Sequence, residues 1–245
     1  MHKLASGMKC RLFLLILFVV ISQGCYYAAK FNNSGIEKFR SGDLEGAIED
    51  YNRAIIVDPD YARAYYNRGI AFLELGDPVN AVKDFTKAIE IDPDYTLAYY
   101  NRGIACEELG DSNNALMDYT KVIEIEPSHI NAFNNRGCLL VEEGDYERAI
   151  KDFTQAIKIK PDYATAYFNR GSAWRGLKQY KNAIEDFKKA MELDPAKKGK
   201  ASAEIKFCES KIKDIYEMKL LPFLKTINFL LLRPKSKTSF NVYLF

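Results

Sequence analysis

Residues that carry chemistry are scarce in this 245-residue chain. It has two histidines. His2 lies at the extreme N-terminus, and His129 occupies a place held elsewhere by Tyr61, Tyr95 and Tyr163. There is no HExxH helix, no phosphate-cradling glycine loop and no nucleophile elbow. The carboxylates are numerous but evenly spread, and they do not converge as an acid/base pair. These absences exclude the common enzyme classes, and no cofactor or metal is implied.

Cysteine is also sparse. Cys10, Cys25, Cys106, Cys138 and Cys208 show neither metal-ligand spacing nor a disulfide framework. Cys106 and Cys138 fall within helical pattern and read as small buried side chains. Net charge is only +2, although it is unevenly distributed. Residues 28–195 hold 21 Lys+Arg against 29 Asp+Glu, whereas residues 196–245 hold 11 basic groups against 4 acidic ones. An acidic body disfavours nucleic acid as its partner, and the acidic surplus reads as a solvated face.

Long apolar runs are missing too, with one short exception. Residues 12–21 are uninterruptedly apolar and follow a basic segment carrying Lys3, Lys9 and Arg11. The run is short for a membrane-spanning helix of roughly 20 residues and has the proportions of a secretory signal.

What the chain does have is a clock. Pro59, Pro93, Pro127, Pro161 and Pro195 are each 34 residues apart. Gly35, Gly69, Gly103, Gly137 and Gly171 keep the same interval. So do Ala47, Ala81, Ala115, Ala149 and Ala183, and the aromatics Tyr51, Phe85, Tyr119, Phe153 and Phe187. A fixed period of this length is one stacked structural unit.

Within residues 62–95, apolar residues recur at helical spacing from Ala64 to Leu75. Gly76 fits a left-handed helix end, and Asp77-Pro78 fits an N-cap followed by proline at the first helical position. A second helix runs from Pro78 to about Ile91, where Asp92-Pro93 stops it. Gly69 and Ala81 let the two helices approach, and Tyr65 and Phe85 supply bulk between units. Such a hairpin cannot bury its apolar face alone and is stabilised by its neighbours.

This pattern resembles the tetratricopeptide repeat. The resemblance covers residues 28–197 as five units, 28–61, 62–95, 96–129, 130–163 and 164–197. It implies an all-α fold, a right-handed superhelical α-solenoid of five helix-turn-helix repeats. Lys38, Val122 and Lys178 depart from the family pattern, which expects a large apolar residue, a small one and the turn glycine at those places. Residues 198–219 keep helical spacing through Ala201, Ile205, Cys208, Ile212 and Ile215 and read as a capping helix. Residues 220–245 read as an irregular tail.

The resemblance also implies non-enzymatic binding of extended peptides or partner helices on a concave wall built from the first helix of each unit. The regular polar feature there is Asn33, Asn67, Asn101, Asn135 and Asn169. An asparagine amide both donates and accepts, so such a row can bond a peptide backbone without reading its sequence. An equally weighted alternative, compatible with the first, is that Asn-Arg-Gly is a favoured triplet whose Asn and Arg bond neighbouring helices. Tyr66, Tyr100 and Phe168 precede ladder members and offer apolar contact, or packing between repeats. Members of the family that clamp a carboxylate use lysine at these places, and none stands here.

Ser22-Gln23-Gly24-Cys25 resembles a bacterial lipobox, with Ser22 where an aliphatic residue is usual. The resemblance implies a signal peptide over 1–24, acylation of Cys25 and a mature N-terminus of 25–27 at the membrane, on the outer membrane of a two-membrane bacterium. Cleavage of an ordinary signal and an uncleaved signal anchor remain the alternatives. They give an exported or cytoplasmic adaptor without lipid.

Overall fold

The structure is a computed structural model that describes the backbone of residues 23–231 and the side chains of 23–220. The apolar run at 12–21 and the tail beyond 231 lie outside the described residues. The first compact unit ends at Pro161 and the second begins at Asp162.

In the first unit α1 (23–40) pairs with α2 (Leu44–Val57), α3 (Ala62–Glu74) with α4 (Pro78–Ile91), α5 (Thr96–Glu108) with α6 (Ser112–Ile125), and α7 (Ile130–Glu142) with α8 (Tyr146–Ile159). Each pair also packs on the next through α2 with α3, α4 with α5, and α6 with α7. The result is a stack of paired helices, as the period requires.

The turns follow from their residues. Gly42, Gly76, Gly110 and Gly144 take φ values of 85°, 73°, 74° and 81°, the left-handed region that favours glycine. At the second turn the Asp77 N–H donates to the Phe72 carbonyl and the Gly76 N–H to the Leu73 carbonyl, the paired bonds of a Schellman ending. The aspartate after each glycine then caps the next helix. Asp43, Asp77, Asp111 and Asp145 accept from the N–H of Gly46, Asn80, Asn114 and Arg148.

Close approach within each pair rests on a missing side chain. A Cβ on Gly69 would meet the Phe85 ring at 2.7 Å, and one on Gly103 would meet the Tyr119 ring at 2.8 Å. These aromatics are fully buried, and burying such a ring stabilises by about 1.5–3 kcal/mol.

In the second unit α9 (Ala164–Gly176) pairs with α10 (Tyr180–Leu193), and a 3-10 turn (Pro195–Lys197) leads into α11 (Lys198–Leu231). The fifth turn departs from the other four. Lys178 holds the left-handed position at φ 59°, and Gln179 at the N-cap makes no side-chain capping bond.

Ala201 and Cys208 of α11 are buried against Ala183 and Phe187, with Ile205 beside them. This is the capping contact the spacing predicts. The expected irregularity from residue 220 is corrected as far as Leu231, because α11 continues through Pro222. A proline inside a helix lacks one N–H and crowds the preceding turn, which costs stability without forbidding continuation.

Candidate functional site

The asparagine row lies on the first helix of each pair. In the first unit it spans α1, α3, α5 and α7, and its members are tied to the neighbouring first helix. Asn67 Nδ2 donates to Asn32 Oδ1 at 2.8 Å. Asn101 Nδ2 donates to the Tyr66 hydroxyl at 3.1 Å and to the Leu97 carbonyl at 2.9 Å. Asn135 Nδ2 donates to the Tyr100 hydroxyl at 3.3 Å and the Tyr119 hydroxyl at 3.4 Å. Each donor therefore reaches the residue just before the previous row member. Asn33 opens the row and is exposed. Asn169 sits half-buried on α9 in the second unit.

The acceptors are a different matter. The amide oxygens of Asn67 and Asn101 receive no hydrogen bond among the described residues, and both side chains are half-buried. Asn135 Oδ1 accepts only a long 3.4 Å bond from Asn134. The row thus joins first helices through its nitrogens, while the Asn67 and Asn101 oxygens accept no bond among the described residues.

Tyr66 and Tyr100 are half-buried wedges. The Tyr66 ring lies 5.0 Å from Tyr95 and 5.9 Å from Phe85. Tyr100 lies 4.8 Å from His129 and 5.8 Å from Tyr119. Burial raises the Tyr66 phenol above its ordinary range. His129, which the sequence places among tyrosines, caps α7 by accepting the Ala132 N–H on Nδ1 at 3.1 Å. Asn32, the residue paired with Asn67, is 1% exposed and its Nδ2 has no acceptor. An unpaired buried donor costs about 1–3 kcal/mol, so the first step of the row is its weakest.

A second ladder runs beside the first; the sequence reading has the arginines bonding neighbouring helices but does not find their aspartate partners. Arg68 grips Asp84 through Nε and Nη2, both at 2.7 Å. Arg102 grips Asp118, Arg136 grips Asp152 and, in the second unit, Arg170 grips Asp186 in the same bidentate way. The remaining nitrogen reaches back one repeat. Arg102 Nη1 donates to Thr86 Oγ1 at 3.1 Å and Arg136 Nη1 to Thr120 Oγ1 at 3.0 Å. Arg68, Arg102, Arg136 and Arg170 also lie over Tyr65, Tyr99, Phe133 and Tyr167 at 5.5–5.9 Å. Tyr65 therefore packs on a guanidinium, whereas the fully buried bulk comes from Phe85. The signal was available: aspartates recur at the same period, 16 residues after each arginine.

The thiols are quiet. Burial pushes Cys106 and Cys138 each up to about 11 and raises Cys208, which keeps all three protonated. Cys25 is exposed on α1, with Sγ 3.8 Å from Asp58 Oδ2. No group of residues able to hold a metal ion occurs among the described residues. No described helix is long and apolar enough to cross a membrane.

Sequence profiles described as tetratricopeptide repeat match residues 62–95, 96–129, 118–151 and 164–197, and a TPR repeat profile matches 35–76 and 137–174. No curated protein matches the chain significantly. Among solved structures, a crystal structure of MamA protein is 25% identical with TM-score 0.66, covering 71% of this chain and 94% of that one. MamA 41-end from Desulfovibrio magneticus RS-1 is 24% identical with TM-score 0.65, covering 69% and 96%. YrrB, described as a TPR protein with an unusual peptide-binding site, is 24% identical with TM-score 0.62, covering 67% and 85%.

Proposed function

The chain belongs to the tetratricopeptide repeat family, a non-catalytic scaffold family, and we propose that the asparagine row on α1, α3, α5 and α7 receives the backbone of an extended peptide. The observation that carries this reading is the division of labour within each amide. The nitrogens of Asn67, Asn101 and Asn135 bond the neighbouring first helix, whereas the oxygens of Asn67 and Asn101 face no internal donor. A peptide N–H supplies the missing donor, and the repeat spacing presents acceptors at regular steps. Asn33 extends the row at its open end, and Asn169 continues the sequence pattern on α9.

The test is capture of extended peptides from an immobilised random decapeptide library. Replacing Asn67, Asn101 and Asn135 together by Ala should lower capture at least about tenfold, since one hydrogen bond is worth about 0.5–1.5 kcal/mol. Replacement by Asp keeps the oxygen acceptor and loses the internal donor, so it should weaken folding more than capture. Capture unchanged in the alanine variant, with only the unfolding midpoint lowered, would make the row purely structural.

A lipid-free adaptor needs nothing beyond the repeats and is the better supported setting for this surface. Acylation at Cys25 is the second reading, resting on Ser22-Gln23-Gly24-Cys25 and on the exposure of Cys25. On that reading the anchor and an outer-membrane address follow together. Mass spectrometry of the mature N-terminus separates the two. An unmodified Cys25 or an intact Met1 rejects the lipid anchor and leaves the peptide-binding surface untouched.

A further inference from the structure

The second unit carries a feature that repeat packing does not use. Beside the fifth turn, a cleft of about 350 Å³ is formed by the start of α10 and the middle of α11. Its walls include Tyr180, Ile212, Ile215 and Tyr216, and its rim carries Lys178, Lys181 and Lys219. No acidic residue lines it, and none of the three lysines is ion-paired among the described residues. Gln179 at the head of α10 makes no capping bond, so the helix start also presents free N–H groups toward negative charge.

From the cleft wall onward, α11 exposes its large apolar side chains. Ile215, Tyr216, Met218 and Leu220 are 38%, 53%, 71% and 49% exposed. At 100° per residue these four side chains are distributed around the helix, so its exposed end is apolar on more than one side, and exposed apolar surface of this kind marks an interaction site. The helical backbone continues to Leu231 through a leucine- and phenylalanine-rich stretch interrupted by Pro222, Lys225, Thr226 and Asn228. Between residue 218 and the C-terminus the charged residues are Lys219, Lys225, Arg233, Lys235 and Lys237, with no Asp or Glu.

We infer that the distal part of α11 and the lysine-rimmed cleft beside it dock on an anionic lipid surface. The combination selects this occupant. Lysines alone would suit any polyanion, but a nucleic acid leaves Met218 and Leu220 in water. An acidic soluble peptide matches the cleft but gives the apolar length of 220–231 nothing to enter. A bilayer interface satisfies both, with anionic headgroups at the lysines and the helix lying in the plane of the headgroups. The apolar stretch is about 18 Å long at 1.5 Å per residue, well below the roughly 30 Å needed to cross, so it lies on the membrane and does not span it. The inference does not rest on the asparagine row or on acylation of Cys25.

The test is flotation of the full chain carrying Cys25→Ser, which removes any acyl anchor while keeping the apolar run at 12–21. Vesicles of phosphatidylcholine alone are compared with vesicles in which about a third of the lipid is phosphatidylglycerol, a fraction that sets a negative surface potential. Binding should favour the anionic vesicles and fall in about 0.5 M salt, where exposed charges are screened. Lys181→Glu with Lys219→Glu should lower partitioning at least about tenfold, since each surface lysine contributes roughly fivefold. Met218→Asp with Leu220→Asp should lower it on both vesicle types. All four positions are exposed, so the thermal midpoint should stay within a few degrees. Equal binding by wild type and lysine variant overturns the inference, because the N-terminal run would then account for it. Absence of vesicle binding, or capture of an acidic soluble peptide in its place, overturns it as well.

Discussion

Lys38 Nζ stands 2.8 Å from Asp50 Oδ2, and this contact replaces the arginine fork that every later repeat possesses. Ser34 occupies the arginine position in the first repeat and donates only one hydroxyl to Asp50, at 2.7 Å. Asp50 is 2% exposed and needs more than that. Lys38 supplies the charge from one turn further along α1, and Arg53 adds a second contact at 2.9 Å. Read from sequence, Lys38 is an exception to an apolar position. In the structure it compensates for a second exception four residues earlier.

Replacing Lys38 by Met supplies the large apolar residue that the family pattern expects there but leaves Asp50 short of a partner. Urea unfolding should show a loss of about 1–2 kcal/mol, discounted from the value for a fully buried pair because Lys38 is partly exposed. Adding Ser34→Arg to Lys38→Met should recover most of it. A double variant no more stable than Lys38→Met would mean that the fork cannot form in the first repeat.

The fifth turn offers a stabilising change. Lys178→Gly removes a left-handed non-glycine residue and should gain about 1 kcal/mol. Gln179→Asp restores the cap used by the other turns and should add about 0.5–1 kcal/mol. Calorimetry on the single and double variants checks both values and their additivity.

Gly103→Ala places a Cβ 2.8 Å from the Tyr119 ring, which is buried and bonded to Glu107 and Asn135. The ring cannot withdraw without breaking those bonds, so the variant should lose about 1–3 kcal/mol. Combining it with Tyr119→Leu should cost less than the sum of the two single changes. Strict additivity in a double-mutant cycle would contradict the contact.

Acid should weaken the first unit. Burial alone raises the Asp50 carboxyl, but the hydrogen bonds from Lys38 and Ser34, with the charges of Lys38 and Arg53, hold it below its ordinary 3.8. Asp77 and Asp111 are also held below that value by hydrogen bonds from Asn80 and Asn114. A carboxyl depressed by folding contributes stability above its unfolded value and loses it as the pH falls through the folded one. The urea midpoint should therefore hold at pH 5–7 and drop below about 3.8, and Asp50→Asn should make the drop shallower.

Helix pairs and turns were legible because they recur, and recurrence is visible in one dimension. Gly69 and Phe85 repeat with the same interval, but the spacing set Gly69 against Ala81 and Phe85 between units. Only the packing shows that the Phe85 ring fills the space left by Gly69 in its own pair. The asparagine row was legible as a row, and bonding to neighbouring helices was one of its two readings, but the particular partner of each amide was not legible. Whether Asn101 Nδ2 meets Tyr66 depends on how two first helices lie together, which spacing does not record. The aspartate partners of the arginines were overlooked because they sit on different helices, although they keep the period. Residues 220–231 looked irregular because Pro222 interrupts the pattern, yet the backbone continues through it.

Periodicity alone laid out the paired helices, their turns and the place of the asparagine row, since each follows from local geometry repeated at one interval. Packing between helices settled the rest: which partner each amide takes, how Lys38 makes good the missing arginine, and where α11 begins to expose its large apolar side chains. These depend on atoms far apart in the chain, whose approach arises only when side chains from different helices share one interior.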